Sequence, residues 1–179
     1  MKYAAFLRGV NVGGNNVIKM VDLKACFEGM GFLNVATLIQ SGNVVFETDE
    51  KDSDKLEETI ETGLSKTFKY KSKVLVRSSS QIKKVLQEAP SDWKSRKDIR
   101  CYIAFVKKPA TPELVVKEVV LKEGIDSVKA GAGGVFMTSL LSGLTRSGIN
   151  KIASTKIYQD LTIRNYNTTL KIAKLMESE

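Results

Sequence analysis

The chain has 179 residues, of which 42% are hydrophobic and 27% charged; this composition is typical of a globular protein and argues against a disordered chain. The formal charge is +8 and there is no histidine, which excludes His-based triads and His-ligated zinc. No apolar run reaches the roughly 18 residues that a spanning helix needs, so we expect no membrane segment and a cytoplasmic location.

The first half of the chain predicts the element order βαββαβ. Residues 3–7 are an apolar run typical of a buried strand, and the loop of residues 8–16 joins it to a helical pattern. Two β-rich runs then flank the turn Gln40-Ser41-Gly42-Asn43 and predict a hairpin. Asp52 and Ser53 are suitable caps for a second helix, and residues 73–77 predict the last strand.

The second half predicts a related order. A helical stripe ends at Pro90, and residues 101–106 predict a strand. Thr111-Pro112 is a typical helix start, and two further strands flank the glycine-rich residues 130–134, which we expect to form a turn. Two shorter helices are expected to finish the chain.

These patterns predict an α+β fold: a tandem of two ferredoxin-like subdomains with antiparallel sheets and C-terminal helices. The expected subdomains are residues 1–77, with the Gly/Asn-rich loop, and residues 78–179, a βαββ-type unit with basic C-terminal helices. The halves share the order of elements but little visible sequence. Helices on one face of each sheet leave the other face in need of a cover or a partner.

The loop Arg8-Gly9-Val10-Asn11-Val12-Gly13-Gly14-Asn15-Asn16 has the strand-loop-helix context in which backbone N–H groups and a helix dipole bind phosphate. It matches neither the dinucleotide fingerprint nor the P-loop. The alternative interpretation is a long turn whose asparagines bond their own backbone. We expect the turn at Gly42 to lie at the opposite end of the strands, separate from this loop.

A third polar segment covers residues 144–151 and 161–171. Residues 145–174 contain six cations and one acid, a local charge of 6 − 1 = +5. If the last stretch is helical, Arg164, Asn167, Lys171 and Lys174 share one face. The alternative is a solvated amphipathic helix braced by its own Asn and Thr residues.

The three segments contain no Asp or Glu, which disfavours divalent-metal chemistry there, and we predict no metal site. The leading hypothesis is a binding protein, or an enzyme, for a small phosphate- or carboxylate-bearing ligand. The predicted ligand-binding residues are Arg8, Asn11, Gly13, Gly14, Asn15, Arg146, Arg164, Asn165 and Asn167. No catalytic residue or cofactor is predicted; Lys19, Lys151 and Tyr166 are the only nearby types able to move a proton.

Two other function classes stay open. Residues 62–87 hold seven cations and no acid, which fits RNA or DNA binding, although the aromatics of an RRM are missing from residues 42–46. A protein-interaction module would use an uncovered sheet face, and an exposed Trp93 would favour it. The sequence predicts no oligomeric state.

Three motifs together resemble the signatures of an uncharacterised bacterial family, domain of unknown function 1697. They are Leu7-Arg8-Gly9-Val10-Asn11-Val12-Gly13-Gly14, Ile39-Gln40-Ser41-Gly42-Asn43-Val44-Val45-Phe46 and Thr162-Ile163-Arg164-Asn165-Tyr166-Asn167-Thr168. The resemblance implies a cytosolic protein of two ferredoxin-like subdomains with no established activity, cofactor or catalytic residue. Tyr166 stands where tryptophan is common in that family, which keeps an aromatic packing role.

Overall fold

The structure is a computed structural model that describes residues 1–11, 17–39, 42–69 and 71–177. It has the expected α+β class, with two four-stranded antiparallel sheets. The chain divides into two compact units, one of residues 1–80 with the residues from Lys171 onward, and one of Gln81–Leu170. None of the described helices is long and apolar enough to cross a membrane.

The first unit contains the β1–α1–β2–β3–α2–β4 series. Its elements are β1 (Lys2–Leu7), α1 (Met20–Gly29), β2 (Leu33–Leu38), β3 (Asn43–Glu47), α2 (Ser53–Phe68) and β4 (Val74–Ser78). The strands lie in the order β2-β3-β1-β4. The Asp52 carboxylate accepts hydrogen bonds from the Asp54 and Lys55 amides, which explains why α2 begins at Ser53.

The second sheet repeats this order as β6-β7-β5-β8. Its elements, with the helices of that part of the chain, are α3 (Ser79–Glu88), β5 (Ile99–Val106), α4 (Pro112–Glu118), β6 (Asp126–Gly131), β7 (Gly134–Leu140), β8 (Leu161–Asn165) and α5 (Tyr166–Glu177). Short 3-10 helices span Ser91–Lys94, Leu141–Arg146, Ile149–Ser154 and Lys156–Asp160. The Thr111 side chain caps α4, and Pro112 occupies its first turn, as the sequence predicts.

The C-terminal region differs from the prediction of two basic helices. Residues 161–165 are a strand paired with β5, and one α-helix, α5, follows directly. Thr162 and Ile163 are β-branched and fit the pleated edge beside β5, so pairing between distant residues outweighs the helical spacing of the polar side chains. Lys171 and Lys174 lie on α5, whereas Arg164 lies on the strand.

The central strands of the two sheets correspond in sequence. Tyr3 lies opposite Ser78, the last residue of β4, and Tyr102 lies opposite Asn165, the last residue of β8. In this alignment the strands read Tyr-Ala-Ala-Phe-Leu from residue 3 and Tyr-Ile-Ala-Phe-Val from residue 102. When β1 and β5 are aligned by their strand pairing, the two halves of the chain therefore share a sequence similarity that the sequence alone does not make visible.

Both faces of each central strand are buried. On β1, Ala5 packs in the core beneath the helices and its neighbour Phe6 points the other way, yet both are fully buried. On β5, Ala104 and Phe105 are likewise buried. At the central strands the second face of each sheet is therefore covered, which agrees with the expectation of a cover or a partner.

Trp93 is also buried. Its ring packs edge-on against Phe136 and Tyr166, with centroids 5.8 and 5.2 Å apart. Tyr166 thus has the aromatic packing role expected for it. The exposed tryptophan that would favour a protein-interaction module is not found.

Candidate functional site

Three connections of the first unit meet at one end of its sheet. β1 ends at Leu7, β3 begins at Asn43 opposite Phe6, and β4 begins at Val74 opposite Leu7. The loop after β1, the β2–β3 turn and the α2–β4 connection therefore share this end. We call the described residues there the loop edge: residues 8–11, 17–19, 39, 42–43, 69 and 71–73.

Backbone hydrogen bonds tie the three connections together. The Leu7 amide donates to the Gly42 carbonyl at 2.8 Å, and the Arg8 amide donates to the Lys73 carbonyl at 2.9 Å. Gly42 lies so close that an added Cβ would be 2.9 Å from the Leu7 Cβ and 3.3 Å from the Val10 Cβ.

The expectation that the hairpin turn and the Arg8 loop lie at opposite ends is wrong. Helix α1 returns the chain to the start of the sheet, so β2 runs in the same direction as β1. Both strands therefore end at the same side, and the turn after β2 comes to lie beside the loop after β1.

Asn11 closes the first loop. Its Nδ2 donates to the Ile18 carbonyl at 3.0 Å, and its Oδ1 accepts from the Ile18 amide at 2.7 Å. These bonds agree with the alternative interpretation of this loop, a long turn whose asparagine side chains bond the backbone of the loop itself. Asn11 has a φ of 54°, which asparagine adopts more readily than most residues.

The loop edge is cationic. Its charged residues are Arg8, Lys19, Lys69, Lys71 and Lys73, and its described residues include no Asp or Glu. The carboxylate of Glu61, on α2, accepts from the Val74 amide at 2.9 Å and so satisfies a backbone donor at the start of β4. A cluster of positive charges attracts anions and raises their local concentration.

Backbone strain is concentrated at the same end. Four non-glycine residues in the described chain have positive φ, and three of them, Asn11, Ile39 and Lys69, belong to the loop edge. Residues in this region cost free energy that the surrounding structure must offset, and such residues cluster at functional sites. Ile39 is the β-branched member of this group, for which the conformation is least favourable.

The predicted site residues Gly13, Gly14 and Asn15 lie outside the described residues, as do Gln40 and Ser41 of the hairpin turn. Of the predicted ligand-binding set, Arg8 and Asn11 belong to the loop edge. Arg8 is half-buried there.

The other predicted residues belong to the second unit. Arg146 is exposed at the end of a 3-10 helix. Arg164 is half-buried on β8, and its Nη1 donates to the Ile163 carbonyl at 3.0 Å. The Asn165 Oδ1 accepts from the Asn167 amide at 2.9 Å, so Asn165 caps α5 while Asn167 is exposed in its first turn.

An acid that the sequence does not associate with the third polar segment organises it. The Asp126 carboxylate accepts from the Ser139 and Ser147 hydroxyls at 2.8 and 2.7 Å, and from the Lys122 and Gly148 amides at 2.8 and 2.7 Å. Burial raises the pKa of Asp126, but these hydrogen bonds outweigh it and hold the pKa below its ordinary value. Ser147 and Gly148 therefore brace the fold.

Of the three residues able to move a proton, Tyr166 is buried, and burial raises the pKa of its hydroxyl. It is a packing residue beside Trp93. Lys19 and Lys151 are exposed, the first on the loop edge and the second in the other unit.

Residues 1–136 match the family model described as a protein of unknown function, DUF1697. The chain belongs to this family. The DUF1697 match includes the Arg8 loop and the hairpin turn, and it ends before the third motif at Thr162.

A solved structure resembles this DUF1697 protein. It is the conserved bacterial protein SP0830 from Streptococcus pneumoniae, with 25% identity and a TM-score of 0.83. The alignment covers 98% of each chain. No curated protein matches the sequence.

Sequence reasoning missed several residues of the loop edge in this DUF1697 chain. The sequence places Lys69 in a long basic stretch, Lys73 in that stretch and at the start of the last strand, and Ile39 at the end of a strand. The signal for Lys73 is its position directly before β4, because the first residues of β4 pair with the last residues of β1. Nothing in the sequence marks the positive φ of Ile39.

Proposed function

We propose that this DUF1697 protein binds a small anionic ligand, bearing phosphate or carboxylate, at the loop edge of its first unit. The observation that carries the proposal is the convergence of three connections on one cationic edge where the described residues include no acid. Arg8 is the central residue, because its amide already fixes the edge and a guanidinium can bind an oxyanion with two donors.

The strained residues support the same location. A fold tolerates Asn11, Ile39 and Lys69 at positive φ only if neighbouring contacts offset the cost. The Asn11 side-chain nitrogen donates to the Ile18 carbonyl, and its oxygen accepts from the Ile18 amide. We therefore assign Asn11 to shaping the loop rather than to donating to the ligand. A shaped loop lowers the entropy lost on binding.

The assignment of ligand binding to four residues of the second unit stays a prediction; they are Arg146, Arg164, Asn165 and Asn167. We include Arg164 in the experiment below because it is half-buried on β8, two residues before α5 begins. Asn165 already caps that helix.

We further propose that both units are ferredoxin-like. The first unit has the element order βαββαβ and the sheet order β4-β1-β3-β2, read from the other edge. The second sheet has the same order, with 3-10 helices in place of its second α-helix. The cytoplasmic location stays part of the proposal, and both cysteines, Cys26 and Cys101, are free thiols.

Thermal-shift titration tests the proposal. The probes are inorganic phosphate, pyrophosphate, citrate and a short single-stranded RNA, each at low and high salt. We expect one small anion to raise the melting temperature of the wild-type protein progressively with its concentration, because a ligand at about 100 times its Kd stabilises by about 2.7 kcal/mol.

Four variants accompany the titration. Arg8→Ala should abolish the shift and Arg8→Lys should weaken it, since lysine keeps the charge but lacks the fork of donors. Arg100→Ala removes one exposed charge from β5 and should leave the shift unchanged. Arg164→Ala tests the separate prediction that Arg164 of the second unit binds an anion.

The RNA arm separates the alternative function. Phosphate-backbone binding weakens steeply as salt rises. A shift from RNA alone that disappears at high salt, together with no shift from any small anion, would replace this proposal by nucleic-acid binding.

A further inference from the structure

Ile39 is in a conformation that its side chain opposes. Its φ is 49°, where the branched Cβ crowds the backbone, and asparagine or glycine would occupy the same position at much lower cost. Residues at such positions persist only when the surrounding structure offsets their cost, and they cluster at ligand-binding sites.

The fold itself gains little from this side chain. Ile39 is 49% exposed and is not among the buried residues of the core beneath α1 and α2. The turn is held by other groups, since the Asn43 Nδ2 donates to the Leu38 carbonyl at 3.1 Å. An isoleucine is therefore not needed for the turn to form.

Strand pairing places Ile39 on the same edge of the sheet as the cationic residues. Its neighbour Leu38 pairs with Asn43, and Asn43 lies opposite Phe6, two residues before Arg8. A second branched apolar side chain, Val17, is 75% exposed on the same edge, next to the Ile18 backbone that Asn11 holds. Exposed apolar groups thus lie on the same edge as the cations.

We infer that the ligand of the loop edge is an organic phosphate with an apolar body, and that Ile39 contacts that body. This inference rests on the proposed function. The cations bind the phosphate, and the exposed Ile39 removes apolar ligand surface from water, which favours an aryl or alkyl phosphate over one with a polar body.

Calorimetric titration with two probes tests the inference. Phenyl phosphate and glycerol phosphate both carry a phosphate monoester, but their bodies are apolar and polar. We expect wild-type protein to bind phenyl phosphate about tenfold more tightly, the effect of burying about 55 Å² of apolar surface. Equal affinity for the two probes would overturn the inference.

The diagnostic variant is Ile39→Asn. It should raise the melting temperature by about 2–4 °C through relief of backbone strain, and it should remove the preference for phenyl phosphate without weakening glycerol phosphate. Leu33→Asn is the matched control, because Leu33 is an exposed residue at the other end of β2. It should keep the preference.

The outcomes separate the two proposals. If Ile39→Asn lowers the melting temperature, Ile39 is a structural residue and the inference fails. If glycerol phosphate binds in an Arg8-dependent manner while the phenyl preference is absent or survives in Ile39→Asn, the proposed function stands and this inference fails. If neither phosphate ester binds, this inference fails, and the thermal-shift titration with phosphate, pyrophosphate and citrate decides the proposed function separately.

Discussion

The Arg8 amide donates to the Lys73 carbonyl across 2.9 Å, which joins the end of β1 to the start of β4. The second sheet has the same bond between Lys107 and Asp160, at 2.8 Å. The two sheets therefore share a backbone plan at this end.

The side chains at the two ends differ in charge. Lys73 in the first sheet corresponds to Asp160 in the second, and the Glu88 carboxylate accepts from the Ala132 amide in the β6–β7 turn at 2.8 Å. One carboxylate bonds a backbone amide at each edge, Glu61 at the first and Glu88 at the second, but the second edge adds the carboxylate of Asp160 where the first has the ammonium of Lys73. This difference favours the first unit as the location of an anion site.

Gly42→Ala is predicted to disrupt the loop edge. The φ of Gly42 is 71°, and an added Cβ would be 2.9 Å from that of Leu7, so conformational strain and steric overlap add together. We expect a loss of about 2–4 kcal/mol in the free energy of unfolding, measured by urea denaturation.

Gly31→Ala separates the two effects. Gly31 has a φ of 88°, but an added Cβ would meet no heavy atom within 4 Å. Its cost should be about 1–2 kcal/mol from conformation alone. Equal losses in the two variants would show that the close approach of Gly42 to Leu7 has no energetic weight.

The sequence predicted local features of the fold well. The Asp52 cap, the Thr111-Pro112 helix start and the loop after β1 depend on neighbouring residues, whose chemistry is visible in a short window. The role of Asp126 in the third polar segment was not predicted, because Asp126 is 21 residues from Ser147 in the chain. Contacts of that separation depend on strand pairing, which local spacing does not specify.

Asn11→Gly is predicted to loosen the loop before it unfolds the protein. Glycine accepts the positive φ, so the variant removes the two side-chain hydrogen bonds to Ile18 without straining the backbone. We expect a loss of about 1–2 kcal/mol in the free energy of unfolding. Hydrogen exchange of the Ile18 amide should accelerate; unchanged exchange there would show that the side chain does not hold the loop closed.

Glu57 is predicted to be essential at the outer edge of β4. Its buried Oε1 accepts from the Val76 amide at 2.8 Å and lies 3.9 Å from Nη1 of Arg77. Burial lowers the pKa of Arg77, and the Glu57 charge opposes that effect. Glu57→Ala would leave a buried amide and a mostly buried cation without this acceptor, at a cost of about 3–5 kcal/mol.

Glu57→Gln is the informative comparison. The glutamine amide oxygen can still accept from Val76, so this variant removes only the charge facing Arg77. We expect less than half the destabilisation of Glu57→Ala in the same urea denaturation experiment. Equal destabilisation of both variants would assign the whole effect to the ion pair.

Asp126→Asn is predicted to destabilise the second unit in a pH-dependent manner. An amide replaces one carboxylate oxygen with a donor, which then faces groups that donate to Asp126 now, including the Gly148 amide. We expect a loss of about 2–4 kcal/mol at pH 7, measured by urea denaturation. Asp98→Asn, at an exposed ion pair with Arg96, should cost much less.

The pH dependence follows from the lowered pKa of Asp126. An unfolded aspartate titrates near pH 3.9, and the folded one titrates below that value. Its contribution to stability is therefore complete above the unfolded pKa and declines as the pH falls through the folded pKa. The stability gap between wild type and Asp126→Asn should narrow as the pH is lowered from 5 to about 2, and a constant gap would contradict stabilisation by the ionised carboxylate.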